Sequence, residues 1–173
     1  MTLVRVTTAA EAAALDARAI EAGTPARTLM QVAGVASASA IMRAYPDIVG
    51  AAVNVYAGPG NNGGDGWVVA RALVSYGALV FVHEAGEARS DEAKAERALA
   101  LPLVTRGESP DPRLIVDALL GVGSKGAPRG EVASCISRIR EARARGAALA
   151  RSRILLSLIA RPPPEARPTA VAR

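Results

Sequence analysis

The sequence predicts an α/β protein built on a three-layer α/β/α, Rossmann-like doubly wound sheet. Short, mostly apolar runs alternate with helical patterns along the chain, and two of these runs end in glycine-rich segments. Mostly apolar runs suit parallel strands covered on both faces, and their alternation with helices indicates a parallel sheet. The chain of 173 residues has the length of one domain.

Local signals predict the helices. The capping box Thr8–Glu11 predicts a first helix to about Ala22, and Thr24-Pro25 predicts the start of a second. The second helix is expected to bury a stripe of mostly small residues: Leu29, Val32, Ala33, Ala36 and Ala40. Three further helices are predicted at about 66–76, at 91–100 with Ser90 as N-cap, and from Pro128 to about Arg145.

The predicted strands are short and lie between these helices. They cover about 51–57, 78–82 and 113–119, and 146–149 is the opening of a fourth. A proline-marked loop is expected before the third strand. In a doubly wound sheet, ligands bind beyond the carboxyl ends of the strands, near a switch in strand order. Both glycine-rich segments follow such ends.

The most informative stretch is 58–66, Gly-Pro-Gly-Asn-Asn-Gly-Gly-Asp-Gly, which we call the glycine segment. It holds five of the sixteen glycines and one carboxylate. A strand that ends in such a loop and enters a helix brings backbone N–H groups and a positive dipole end to one point, where pyrophosphate can bind. Glycine is expected there because several residues must take positive φ and because a missing Cβ lets a ligand contact the backbone.

The glycine spacing by itself leaves alternatives open. Gly58, Gly60 and Gly63 satisfy G-x-G-x-x-G, and Glu84 stands 21 residues past Gly63, where a dinucleotide fold places its ribose-binding acid. A tight strand-to-helix turn without a ligand would also use glycine. A kinase-type P-loop is disfavoured, because no Gly-Lys-Ser/Thr follows.

The polar residues of the glycine segment favour a ligand over a simple turn. Asn61, Asn62 and Asp65 add amide and carboxylate oxygens that a turn would not require. If two strand ends lie side by side, Asn62 and Asp117 form an oxygen-only site, which suits a large monovalent cation better than Mg²⁺ or Zn²⁺. The structural alternative is that Asp117 accepts N–H bonds from the glycine loop.

A second glycine loop, Gly121–Gly126, follows the third predicted strand. Lys125 could neutralise a phosphate there, although a lone lysine is more often solvated. His83, the only histidine, is interpreted as marking a strand end and is left out of the mechanism.

Composition excludes several classes of function. The net charge of +5 comes from the last fifth of the chain: residues 1–137 hold 12 basic and 14 acidic side chains, whereas 138–173 hold nine arginines and two glutamates. The folded part therefore gives no support for nucleic-acid binding. No apolar run reaches a membrane span and no signal peptide is recognised, so a cytoplasmic protein is expected. Cys135 is the only cysteine, which excludes an intrachain disulfide, and its spacing predicts a packed helical face.

Three stretches give the chain a resemblance to a known family. They are 29–34 (Leu-Met-Gln-Val-Ala-Gly), the glycine segment with 69–73 after it, and 116–123 (Val-Asp-Ala-Leu-Leu-Gly-Val-Gly). With these residues the chain resembles the NAD(P)H-hydrate epimerase family, also called the YjeF N-terminal domain family, over about residues 8–149.

The resemblance implies an isomerase of cofactor repair that interconverts the R and S epimers, at nicotinamide C6, of hydrated NADH or NADPH. It implies potassium binding by Asn62 and Asp117, and no catalytic residue is assigned. A homodimer is considered as the protein partner, with no nucleic acid and no membrane. The implied substrate-binding residues are Asn61, Asn62, Gly63, Gly64, Asp65, Gly121, Val122, Gly123, Ser124, Lys125, Gly126 and Ala127.

The C-terminal part departs from the family. The family's next strand ends in an Asp-Ile-Pro-Ser-Gly-like turn, and no such turn follows Leu149. We therefore expect an epimerase domain at 1–149 that lacks its C-terminal strands and helices, and an Arg/Pro/Ala-rich tail at 150–173, disordered or translated out of frame. Two other functions stay open: a nicotinamide-dependent oxidoreductase that uses Glu84, and a non-catalytic dinucleotide-binding remnant.

Overall fold

The computed structural model describes residues 9–121, 124 and 126–151. Its helices are α1 (Ala9–Glu21), α2 (Ala26–Ala44), α3 (Asn61–Ser75), α4 (Asp91–Ala100) and α5 (Gly130–Ala144). Its strands are β1 (Ala52–Ala57), β2 (Leu79–Glu84), β3 (Thr105–Arg106), β4 (Leu114–Ala118) and β5 (Ala148–Arg151). The strands form one parallel sheet in the order β3-β2-β1-β4-β5. The predicted α/β, Rossmann-like class is confirmed.

The switch in strand order lies between β1 and β4. The chain leaves β1 toward β2 and β3 on one side, then crosses to β4 on the other. Ala57 is paired with Glu84 of β2 and with Ala118 of β4. The carboxyl ends of three strands therefore lie side by side, and the cleft expected of this topology lies above β1 and β4.

The core lies on both faces of the sheet. On one face, Val53 and Val55 of β1 pack with Ile41 of α2 and Leu73 of α3, all fully buried. On the other face, Tyr56 and Ile115 pack with α5. Residues that alternate along β1 thus serve two cores, as expected for a strand covered on both faces.

Cys135 lies on the face of α5 that packs into the core and is fully buried. Burial, with the nearby carboxylate of Glu131, raises the pKa of its thiol to about 11. The predicted packed helical face is therefore confirmed, and the thiol is protonated at neutral pH.

Most of the predicted elements are confirmed, but β2 ends later than predicted and one additional short strand is present. The side chain of Ser90 accepts the N–H of Ala93 at 3.3 Å, which confirms it as the N-cap of α4. The strand β2 continues to Glu84, so His83 and Glu84 lie within it. The stretch expected to be only a proline-marked loop contains the two-residue strand β3, because Thr105 pairs with Phe81 at the edge of the sheet.

The buried stripe predicted for α2 was wrong. Of its five residues only Ala40 is buried, and Val32 is 64% exposed. The helix instead buries Met30, Gly34, Ser37, Ala38, Ala40 and Ile41. The reason is a close crossing with α3: a Cβ on Gly34 would lie 2.4 Å from Cβ of Val68. Small residues are therefore required at the crossing.

Within the described part of the chain, none of the helices combines the length and apolar character needed to cross a bilayer.

Candidate functional site

The glycine segment begins where β1 meets β4. The N–H of Gly58 donates a 3.0 Å hydrogen bond to the carbonyl of Ala118, the last residue of β4. A Cβ on Gly58 would lie 1.8 Å from the carbonyl oxygen of Leu119. The two chain segments that leave these strands therefore run in direct backbone contact, which only glycine permits at this position.

The glycine segment has a different conformation from the one predicted. The helix α3 begins at Asn61, five residues earlier than expected, so Asn61 to Asp65 form its first turns. The N–H groups of Gly63 and Gly64 donate to the carbonyl of Gly60 at 2.9 and 3.2 Å. The positive end of the helix dipole therefore lies inside the segment, next to the ends of β1 and β4.

The prediction that several residues of the glycine segment take positive φ is wrong. None of the residues 58–66 has positive φ. A Cβ on Gly63 would lie 1.8 Å from the carbonyl oxygen of Gly58, and one on Gly66 would lie 2.6 Å from Cβ of Ala118. At Gly60 nothing lies within 4 Å of such an atom. The glycines let α3 pack closely onto the sheet, and Gly60 leaves an open position at the helix start.

The two proposed cation ligands lie in the two segments that meet here, the start of α3 and the end of β4. Asn62 is buried in the first turn of α3, and a Cβ on Gly121 would lie 3.7 Å from its Cβ. Asp117 lies one residue before the end of β4, and its Oδ1 accepts the N–H of Leu119 at 3.2 Å. The backbone bond expected as the structural role of Asp117 is therefore present, although its donor precedes the second glycine loop.

Asp117 has a cationic neighbour that sequence reasoning missed. Nε of Arg151, on β5, lies 3.6 Å from Oδ2 of Asp117. The two residues are partners in the β4–β5 register. A guanidinium thus adjoins the carboxylate proposed to bind K⁺. No local pattern in the sequence signals this pair, because it depends on strand register.

The second glycine loop is partly described. The N–H of Ser124 donates to the carbonyl of Gly121 at 3.2 Å, and Gly126 has φ +81°, which explains its glycine. Ser124, Gly126 and Ala127 are exposed. The predicted binding residues Val122, Gly123 and Lys125 lie outside the described residues.

Asp65 is the titratable residue of the glycine segment and lies in the first turns of α3. Burial raises the pKa of its carboxyl from 3.8 to about 7, and the negative charge of Asp16 on α1 adds to the effect. Such a carboxyl exchanges a proton near neutral pH, as general acid–base catalysis requires. Sequence reasoning placed Asp65 among the binding residues but did not identify Asp16 as its neighbour.

Glu84, the acid of the oxidoreductase alternative, is already paired. Nε and Nη2 of Arg97 donate to its two carboxylate oxygens at 2.5 and 2.9 Å. Nη2 of Arg106 lies 3.6 Å away. The side chain of Glu84 is only 17% exposed. A ribose would have to displace a bidentate ion pair, which disfavours that role.

The parallel sheet, the switch between β1 and β4 and the glycine segment together define a Rossmann-like α/β domain with a candidate anion-binding helix start. The chain belongs to the family described as YjeF-related protein N-terminus, whose model matches residues 26–151. The family resemblance found from the residues is confirmed.

Curated relatives give the family's context. The chain is 38% identical over 139 residues to the bifunctional NAD(P)H-hydrate repair enzyme Nnr of Thermanaerovibrio acidaminovorans, covering 73% of this chain and 27% of that protein. It is 34% identical over 147 residues to the NAD(P)H-hydrate epimerase of Schizosaccharomyces pombe, covering 78% and 61%. The chain thus spans less than two thirds of either relative.

A solved structure matches the fold. The crystal structure of yeast ynu0, YNL200c, aligns with a TM-score of 0.74 at 25% identity, covering 86% of this chain and 69% of that one.

Proposed function

We propose that this protein is an NAD(P)H-hydrate epimerase, which interconverts the R and S epimers of hydrated NADH and NADPH at nicotinamide C6. The observation that carries the proposal is the glycine segment, which forms the start of α3 against the end of β4. The relative in Schizosaccharomyces pombe, named NAD(P)H-hydrate epimerase, supports it.

The substrate's pyrophosphate would bind at the N-terminus of α3. Asn61 to Asp65 form the first turns of that helix, where the dipole favours an anion. Gly60 leaves room for a phosphate oxygen, because nothing lies within 4 Å of its missing Cβ. Gly121, at the start of the second glycine loop, would contribute to the other wall, since it adjoins Asn62.

Inverting C6 requires the hydroxyl to leave and return, or the ring to open and close. Either route needs a group that gives a proton to an oxygen and takes it back. We propose Asp65 for this role, because it lies in the first turns of α3, beside the proposed pyrophosphate site, and because its carboxyl pKa of about 7 lets both protonation states be populated at neutral pH. The neighbouring charge of Asp16 helps to keep that pKa high.

We also propose that K⁺ binds at Asn62 and Asp117. Amide and carboxylate oxygens are suitable donors for a large monovalent cation. Bound there, K⁺ would offset the negative charge of the substrate's phosphates. Arg151 would compete with the ion, since its guanidinium lies beside Asp117. A homodimer and a cytoplasmic location stay predictions.

Turnover and binding need separate measurements. Purified R epimer of hydrated NADH is incubated with the full chain, and the S epimer is followed by chromatography against the spontaneous rate. Acceleration supports the epimerase. Thermal stabilisation by the hydrate without acceleration would instead indicate the non-catalytic remnant, and hydride transfer to an added substrate panel would indicate the oxidoreductase.

A further inference from the structure

A second cluster of polar side chains lies on the sheet face covered by α5. His83 of β2 lies between two carboxylates: Nδ1 is 3.1 Å from Oε1 of Glu108, and Nε2 is 2.8 Å from Oε1 of Glu131. Glu131 and Cys135 lie one turn apart on α5, and Sγ of Cys135 is 3.9 Å from the same Glu131 oxygen. We call these residues the α5 cluster.

We propose that His83, Glu131 and Cys135 form a Zn²⁺ site. One ligand atom from each residue, a ring nitrogen, a carboxylate oxygen and a sulfur, lies within 4.8 Å of the other two. Zinc binds these three ligand types at about 2.0–2.3 Å, which places the ligands of one ion about 3–4 Å apart. Small side-chain movements would therefore bring all three onto one ion. A mixed nitrogen, oxygen and sulfur set favours Zn²⁺ over Mg²⁺ or Ca²⁺.

Glu108 and Tyr56 would hold His83 in the orientation that the ion needs. Metal-bound histidines usually donate their other ring N–H to a carboxylate. Glu108 is placed to accept from Nδ1, which leaves Nε2 directed at Glu131. The hydroxyl of Tyr56 donates to the second oxygen of Glu108 at 2.8 Å. Burial and this carboxylate raise the pKa of Tyr56, so it stays a donor at neutral pH.

The guanidinium of Arg138 is the cation that contacts the α5 cluster in this structure. Its Nη2 lies 2.7 Å from Oε1 of Glu131, and its Nη1 lies 3.2 Å from Nε2 of His83 and 2.6 Å from Glu108. The side chain is 36% exposed, so it can move into solvent. Zinc would then replace one positive charge by two between Glu108 and Glu131. The thiol proton of Cys135 is released to solvent as the Zn–S bond forms, and water completes the coordination.

The composition of the chain makes the test specific. His83 is the only histidine and Cys135 the only cysteine in all 173 residues. With Co²⁺ as a spectroscopic probe on the untagged full chain, a thiolate-to-cobalt absorption band can therefore arise only from Cys135. We expect the band in the wild type. We expect it to be lost in Glu131→Gln and kept in Glu141→Gln, a matched change on the exposed side of α5.

Zinc titration by calorimetry adds a graded result. Glu108→Gln should weaken Zn²⁺ binding by about 10–100-fold, as loss of a carboxylate behind a histidine ligand does. Arg138→Gln should strengthen it, because the competing cation is gone. Glu131 is exposed, so its variant keeps the fold, which a thermal melt in EDTA verifies. Absence of the band in both the wild type and Arg138→Gln overturns the proposal, as does equal Zn²⁺ affinity in the wild type and Glu131→Gln.

Discussion

Nε of Arg151 lies 3.6 Å from Oδ2 of Asp117, at the end of the strand that would supply a carboxylate to K⁺. The Arg151 guanidinium and a K⁺ bound at Asp117 would repel each other, and the repulsion is reduced because the arginine is 56% exposed. Arg151→Gln should therefore strengthen K⁺ binding by roughly tenfold, or about 1.4 kcal/mol.

Thermal melts in KCl and in tetramethylammonium chloride, at equal ionic strength, measure this effect. Arg140→Gln is the matched control, since Arg140 is an exposed arginine on α5. The K⁺ proposal fails if KCl stabilises neither the wild type nor Arg151→Gln more than tetramethylammonium chloride does.

Substitution by alanine should destabilise the protein far more at Gly63 than at Gly60. A Cβ on Gly63 would collide with the backbone of Gly58 at 1.8 Å, whereas nothing lies within 4 Å of one on Gly60. Overpacking against backbone cannot relax through a side chain, so Gly63→Ala should lower the free energy of unfolding by about 3 kcal/mol or more. Gly60→Ala changes the N-cap of α3 without a collision and should lower it by no more than about 1 kcal/mol. Urea unfolding measures both, and equal losses would contradict the packing explanation.

The stability of the protein should depend on pH through Asp65. Its pKa is raised from 3.8 to about 7 in the folded state, so the unfolded chain binds fewer protons between these values. Stability from this group is complete below about pH 4 and is lost as pH rises through 7. Asp65→Asn removes the cost of ionising this buried carboxyl. The variant should therefore raise the free energy of unfolding at pH 8 by on the order of 2 kcal/mol.

The gain from Asp65→Asn should be small at pH 4. Asp111→Asn, at an exposed aspartate, is the control and should show no such trend. A pH-independent effect of Asp65→Asn in thermal melts would show that the carboxyl is not shifted.

Glu96 should be important for stability because it links three helices. It is fully buried and accepts from Arg27 and Gln31 of α2 at 2.7 Å and from Arg71 of α3 at 2.9 Å. Burial opposes its charge, but these donors hold the pKa of Glu96 below its ordinary value. Glu96→Ala should cost about 3 kcal/mol.

The wild type should also lose this contribution as pH falls through the lowered pKa of Glu96. Chemical unfolding across acid pH checks both statements. Glu92→Ala, on the same helix, makes none of these contacts and serves as the comparison; a similar loss in both variants would indicate a general effect on α4.

The sequence predicted the strands and helices well because their signals are local. Apolar runs bounded by glycine and proline placed β1, β2 and β4, and Ser90 predicted the start of α4. The buried face of α2 was missed because alanine, glycine and serine give little contrast between faces. Gly34 must lack a side chain because Val68, on another helix, packs against it.

The sequence predicted which segments form the candidate site, but not the contacts between them. The glycine segment was recognised, but the role of Gly58 and Gly63 in close packing depends on Leu119 and on the turn of α3. Pairs such as Asp117 with Arg151, and His83 with Glu131, depend on strand register and helix placement. These follow from the whole fold and not from spacing along the chain.

The rate of C6 epimerisation by matched variants tests the central claim most directly. Purified R epimer of hydrated NADH is converted at pH 7 by the wild type, Asp65→Asn and Asp111→Asn, and the S epimer is quantified. We predict acceleration over the spontaneous rate by the wild type and by Asp111→Asn, and a loss of about 10²-fold or more in kcat for Asp65→Asn. A wild-type rate equal to the spontaneous one would contradict the proposed function, and an unchanged kcat in Asp65→Asn would contradict the role of Asp65.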